Sequence, residues 1–76
     1  MTNTALFKST LVLKGITMKD LAKKIGMSYP TLSYKINNLR EFSTNEAKKV
    51  QKALEIDNDL CLQIFFEDDV EKKSTN

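Results

Sequence analysis

Apolar residues recur at helical spacing in five short stretches of the chain, and polar or glycine-containing turns separate these stretches. Residues three or four positions apart share one face of a helix, so the pattern predicts an all-α fold of five short helices. The first stretch, with its STLVLKG sequence, is also compatible with a strand. The apolar positions are Leu6, Phe7, Leu11 and Leu13; Met18, Leu21, Ala22 and Ile25; Leu32, Ile36 and Leu39; Ala47, Val50 and Leu54; and Leu60, Cys61, Ile64 and Phe65.

Helix start and stop signals stand between these stretches. Thr17 and Asp57 are good N-caps for the second and fifth helices, because their side chains can accept hydrogen bonds from the first free amides. Ser43 with Glu46 three residues later is a capping-box sequence for the fourth helix. Gly15 suits the left-handed position that ends the first helix.

The only proline of the chain marks the start of the third helix, which we predict from Pro30 to Asn37. Proline lacks an amide hydrogen and is favoured in the first helical turn. It also disfavours helical angles for the preceding Tyr29, so either Ser28 or Tyr29 is the predicted cap. The second helix ends near Gly26, which leaves a turn of about three or four residues, the connection length of a helix-turn-helix.

The chain of 76 residues is long enough for one domain with a small core. A dimer would help to stabilise a core of this size. No apolar run approaches the roughly 20 residues of a membrane span, and the N-terminus lacks the pattern of a secretory signal. We therefore expect a cytoplasmic protein that does not contact a membrane.

The net charge of +2 conceals an uneven distribution of charged residues. Residues 1–54 carry ten lysines and arginines and three acidic residues, a net charge of +7. Residues 55–76 carry two lysines and seven acidic residues, a net charge of −5. This asymmetry is typical of a polyanion-binding body with an acidic end. Solvated helix faces would produce the same distribution, so charge alone does not separate the two interpretations.

The residue types of the chain argue against an enzyme. There is no histidine, the single cysteine Cys61 lies among apolar residues, and the two glycines are far apart. The chain therefore lacks the usual general base, the usual zinc ligands and a glycine-rich phosphate loop. We expect no catalysis, no metal and no cofactor, and we interpret Cys61 as a small buried apolar side chain.

The stretch TMKDLAKKIGMSYPTLSYKINN combines a small Ala22, a turn at Gly26 and several apolar positions in one register. Its Leu-Ala-x-x-Ile-Gly-Met-Ser core resembles the helix-turn-helix of the phage Cro/repressor family, the lambda-repressor-like DNA-binding domains. The resemblance also includes the KALEIDND passage, and we assign residues 1–66 to this domain. Residues 67–76 form a polar tail that we expect to fray. Tyr29 replaces a glutamine common in the family, so the base contacts of that glutamine are not transferable.

The resemblance implies that the third helix is the recognition helix. Its N-terminal end would enter the major groove of double-stranded DNA while the second helix crosses the backbone. The base-contact candidates are Ser28, Tyr29, Pro30, Thr31, Ser33, Tyr34 and Lys35. The phosphate-contact candidates are Thr17, Lys19, Asn37, Asn38, Arg40 and Ser43. The lysines that we expect to be solvated are Lys23, Lys24, Lys48, Lys49 and Lys52.

The fifth helix is apolar on nearly all sides, which predicts burial on nearly all sides. We assign Leu62, Phe65 and Phe66 to an interface, although Phe65 also fits the core-facing stripe. The terminal helix is a common dimer contact in the resembling family, so a homodimer is expected. An interface with a different regulator and simple packing against the first helix are the alternatives.

Together, these features predict a sequence-specific DNA-binding transcription regulator that represses by occupying an operator. The resemblance implies a phage or mobile-element source and a site of action on the DNA of a bacterial host. Two other functions are compatible with the sequence. One is a protein-binding modulator that pairs with a phage repressor, and the other is an antitoxin-like module whose C-terminal end masks a toxin.

Overall fold

The structure, a computed structural model, describes residues 1–66, and within this range it contains five helices and no strand. The prediction of an all-α fold is confirmed, and the first stretch is a helix. The prediction of a frayed tail concerns residues 67–76, which lie outside the described residues. The helices are α1 (Thr4–Lys14), α2 (Met18–Ile25), α3 (Tyr29–Ile36), α4 (Thr44–Leu54) and α5 (Asn58–Phe65).

Side-chain caps begin the helices where the sequence predicts them. The hydroxyl oxygens of Thr17 and Ser43 accept hydrogen bonds from the amides of Asp20 and Glu46, each at 3.1 Å. The two carboxylates in turn accept hydrogen bonds from the cap amides, so α2 and α4 both begin with a complete capping box. Asp57 caps α5 through its carboxylate.

The turn between α2 and α3 depends on Gly26, which has a φ of 69°. The amide of Gly26 donates to the carbonyl of Lys23 at 3.3 Å, and the amide of Met27 donates to the carbonyl of Ala22 at 2.9 Å. These bonds satisfy carbonyls that the helix end would otherwise leave free. Met27 also packs against the core. The turn is therefore stabilised by backbone hydrogen bonds and by the contact of the Met27 side chain with the core.

The start of α3 differs in one respect from the prediction. Ser28 has an extended ψ of 151° and its side chain accepts a hydrogen bond from the Thr31 amide, so Ser28 is the N-cap. Tyr29 is the first helical residue and Pro30 the second. Of the two predicted caps, Ser28 is confirmed, and the helix begins one residue before the predicted Pro30, because proline disfavours helical angles in the preceding residue without excluding them.

The core lies where α2 packs against α3 and α4, and where α5 packs against α1 and α4. Burial of one such aliphatic or aromatic side chain contributes about 1.5–3 kcal/mol. Phe7, Phe42 and Phe65 extend the core as an aromatic cluster with ring centroids 5.0–5.8 Å apart. The largest fully buried side chains are those of Phe7, Leu21, Leu32, Ile36, Leu54, Ile64 and Val50.

Two residues of the predicted apolar stripes lie outside the core. Leu39 is 70% exposed, because α3 ends at Ile36 and Asn38 turns the chain with a φ of 64°. Leu13 is 81% exposed, because the buried face of α1 is the one that carries Phe7. Burial therefore depends both on where a helix ends and on which of its faces packs against the core.

The other expectations for the core concern the fifth helix. Cys61 is buried as predicted, and this burial raises the pKa of its thiol. Phe65 is only 6% exposed in the single chain, so it belongs to the core and is withdrawn from the predicted interface. No helix within the described residues combines the length and apolar character that a membrane span requires.

Candidate nucleic-acid interface

The exposed ridge of α3 consists of Pro30 and Tyr34 on the face opposite its core contacts, and Tyr29 is exposed at the start of the helix. Leu32 and Ile36 are fully buried and fix the helix against α2 and the core. Tyr29 and Tyr34 are 47% and 51% exposed. Pro30 and Tyr34 are one turn apart and share this exposed face, whereas Tyr29 lies about 140° around the helix from Tyr34.

The hydroxyl of Ser33 lies beside this ridge and is partly buried. The Asn37 side-chain amide donates to the Ser33 carbonyl at 2.9 Å and lies 3.5 Å from the Ser33 hydroxyl. Asn37 therefore extends the polar surface by one turn while it satisfies a carbonyl at the helix end. Its position is compatible with a phosphate contact but is already explained by this hydrogen bond.

A second row of α3 residues faces the beginning of α4. The Ser28 hydroxyl donates to the Thr31 hydroxyl at 2.8 Å, and Thr31 lines a shallow cavity together with Glu46 and Lys49. Lys35 lies one turn beyond Thr31, and its ammonium contacts Glu46 at 2.6 Å. Of the predicted base-contact residues, Thr31 and Lys35 thus lie on the flank of α3 next to α4, and Ser28 bonds to Thr31 at the start of the helix.

The expectation that Lys35 points outward was wrong. Its side chain is only 13% exposed and that of Glu46 is 26% exposed, so both partners of the ion pair are partly buried. The hydrogen bonds that Glu46 accepts from Lys35 and from the Ser43 amide lower the pKa of its carboxyl group. The carboxylate is therefore ionised at neutral pH and attracts the Lys35 ammonium with full charge.

The phosphate-contact candidates fall into two groups. Lys19 on α2 and Arg40 after α3 are exposed, as a backbone contact requires. Thr17 and Ser43 are N-caps, and each has an acidic residue in the first turn of its helix. The negative charge of that residue opposes the attraction of the helix N-terminus for phosphate, so the basic side chains are the stronger candidates.

Asn38 has a structural partner that the sequence pattern did not indicate. The Thr2 amide donates to the Asn38 side-chain oxygen at 2.8 Å, and the Asn38 side-chain nitrogen donates to the Thr2 carbonyl at 2.9 Å. The Thr4 hydroxyl donates to the Ile36 carbonyl at 2.6 Å nearby. The N-terminal residues thereby hold the C-terminal end of α3 and the loop that leads to Arg40.

The lysines that were expected to be solvated are exposed. Four of them nevertheless share a location, because Lys23 and Lys24 at the end of α2 line the same open depression as Lys49 and Lys52 of α4. The sequence shows these lysines as two separate pairs. Only the packing of α2 against α4 brings them together on one flank of the molecule.

A capped α2, a short glycine turn and an exposed α3 anchored on α2 define a helix-turn-helix protein. The family model described as helix-turn-helix matches residues 7–57, and the chain belongs to this family, with the lambda-repressor-like fold of the Cro/repressor type. It is a DNA-binding transcription regulator of that type, in a family that is regulatory and not typically enzymatic. Neither the curated proteins nor the solved structures contained a match to the chain.

Proposed function

We propose that the protein represses transcription by occupying an operator, with α3 in the major groove and α2 across the sugar-phosphate backbone. The observation that carries this proposal is the half-exposure of Tyr34 on the ridge of α3 and of Tyr29 at the start of the helix, while Leu32 and Ile36 are fully buried. Exposed aromatic side chains on a rigid helix are available to thymine methyl groups and to the walls of the groove.

The resemblance to phage regulators supports a phage or mobile-element source and a site of action on bacterial DNA. In this arrangement the side chains on the ridge contact bases, and Lys19 and Arg40 contact phosphates. Both basic residues are exposed, one on each side of α3 in the chain.

The test of this proposal is the salt dependence of binding to the DNA upstream of the protein's own gene. A protein that neutralises about six phosphates gives a slope of about −5 in a plot of log Kobs against log salt concentration. Tyr34→Ala should reduce the affinity ratio between this DNA and random DNA, whereas Ser9→Ala on the exposed side of α1 should not. Absence of salt-dependent binding by the wild-type protein would contradict the proposed function. An equal loss on both DNAs would make Tyr34 a backbone contact.

We further propose a homodimer formed by α5. Leu62 is 46% exposed on this helix, and Phe66 is partly buried beside the core. An exposed leucine next to a partly covered phenylalanine is the kind of apolar surface that a second copy would bury. Dimers of this fold bind two half-sites about one helical turn of DNA apart.

A second candidate function is the binding of another regulator. Val12 and Leu13 are 82% and 81% exposed at the end of α1, and Leu39 is 70% exposed after α3. Exposed apolar side chains in such positions favour protein contacts. A complex that forms without DNA, and whose affinity changes little with salt concentration, would support this candidate over the operator-binding function.

A further inference from the structure

The recognition helix contains one charged residue, since its sequence from Tyr29 to Ile36 is YPTLSYKI. That residue is Lys35, and its ammonium lies 2.6 Å from Oε1 of Glu46. The Lys35 side chain is 13% exposed. The exposed ridge of α3 therefore consists of uncharged groups, and the one cation of the helix is directed toward α4.

Glu46 is held in place without any help from Lys35. Its Oε1 accepts a hydrogen bond from the Ser43 amide at 2.8 Å, and its own amide donates to the Ser43 hydroxyl at 3.1 Å. The capping box thus fixes the carboxylate at the start of α4 through local hydrogen bonds. Lys35 meets a preorganised anion, so less side-chain freedom is lost when the pair forms than in a typical exposed ion pair.

We propose that Glu46 is a positioning residue that withholds Lys35 from DNA, so that α3 contacts the operator only through uncharged side chains. This inference rests on the proposed operator binding by α3. A free lysine at this place would contact guanine or phosphate, and a phosphate contact would raise the affinity for all sequences alike. Glu46 prevents this, so it favours contacts that depend on base sequence over contacts that do not.

The test compares Glu46→Gln with the double variant Lys35→Met, Glu46→Gln. Glutamine is found at this position of a capping box as glutamate is, so the variant retains the capping box and α4 still begins at the same residue. Glu46→Gln releases Lys35, and it should steepen the plot of log Kobs against log salt concentration by about 0.9, the effect of one added phosphate contact. It should also raise the affinity for random DNA. The double variant lacks both charges and should retain the wild-type slope.

Three results would overturn the inference. The first is a double variant whose slope is shallower by about 0.9, because Lys35 would then contact DNA in the wild-type protein. The second is an unchanged slope for Glu46→Gln, because Glu46 would then withhold nothing. The third is a wild-type protein without salt-dependent binding, which overturns the proposed function as well. Circular dichroism of each variant at the binding temperature verifies that the helices are intact.

Discussion

Asn38 shows how much one residue contributes to the position of the DNA-binding surface. It is one of two non-glycine residues with a positive φ, 64°, among those that the structure describes. Asparagine tolerates this conformation better than most residues, and here its side chain also forms the paired hydrogen bonds with the backbone of Thr2. The residue that was expected to contact phosphate therefore has a complete structural explanation.

We predict that Asn38→Ala lowers the free energy of unfolding by about 2 kcal/mol, since it removes the side-chain hydrogen bonds to Thr2 and Thr4 and strains the left-handed backbone. Asn38→Gly should cost less, because glycine relieves the strain and loses only the hydrogen bonds. Asn37→Ala is the matched control, because its side chain bonds only to Ser33. Urea unfolding measures all three. Equal losses for Asn37→Ala and Asn38→Ala would show that the bonds to Thr2 contribute nothing.

Contacts between individual residues also show which parts of the site the sequence cannot predict. Local signals identify Ser43 and Glu46 as a capping box, because the two residues are three positions apart. The contact of Glu46 with Lys35 joins residues 11 positions apart, and that of Asn38 with Thr2 joins residues 36 apart. Such pairs exist only once the helices have packed, so no periodicity or cap motif in the sequence specifies them.

At the scale of elements, the sequence predicts nearly everything that depends on neighbours along the chain. Five helices, the N-caps of α2 to α5 and the left-handed glycines that end α1 and α2 follow from local hydrogen bonding and backbone sterics. The errors concern where an element ends and which of its faces is buried. Leu39 continues the period of α3 by spacing, but the helix stops at Ile36 and leaves Leu39 exposed. The order of the elements in space depends on long-range packing and was obtained from the family resemblance.

The turn between α2 and α3 provides a prediction at this scale. Gly26 has a φ of 69°, and a Cβ added to it would meet no atom within 4 Å. Gly26→Ala therefore costs only the conformational penalty of the left-handed region, about 1 kcal/mol. Gly15 has a φ of 67° and equally open surroundings, so Gly15→Ala should lower the free energy of unfolding by the same amount.

Thermal unfolding of the two alanine variants tests this equivalence. Gly26→Asn should be milder than Gly26→Ala, because asparagine tolerates the left-handed conformation. A loss at Gly26 that greatly exceeds the loss at Gly15 would mean that the helix-turn-helix turn resists substitution for a reason other than its backbone angle. The operator affinity of Gly26→Ala should be unchanged at temperatures where the variant is folded, since the turn keeps its path.

At the scale of the whole molecule, α5 is the element on which the proposed dimer depends. The family match ends at residue 57, so α5 lies beyond it. The helix nevertheless packs on α1 and α4, and its Ile64 and Phe65 are part of the core. The fifth helix therefore completes the fold with one face. Its other face carries Leu62, which is free to serve a different purpose from that of the shared helix-turn-helix.

Leu62→Lys is the variant that tests the proposed dimer with least risk to the fold, because Leu62 is 46% exposed whereas Phe66 packs against the core. Light scattering should give the wild-type protein a molar mass of twice the 8.7 kDa of one chain. The variant should have the molar mass of one chain, because the lysine charge opposes burial between two copies. Leu39→Lys, on the exposed loop after α3, is the control and should retain the dimer.

Loss of the dimer should also weaken binding to DNA with two half-sites far more than binding to one half-site, because only the dimer holds both at once. An unchanged mass for Leu62→Lys would exclude this face of α5 as the dimer contact and leave the proposed operator binding by α3 unaffected.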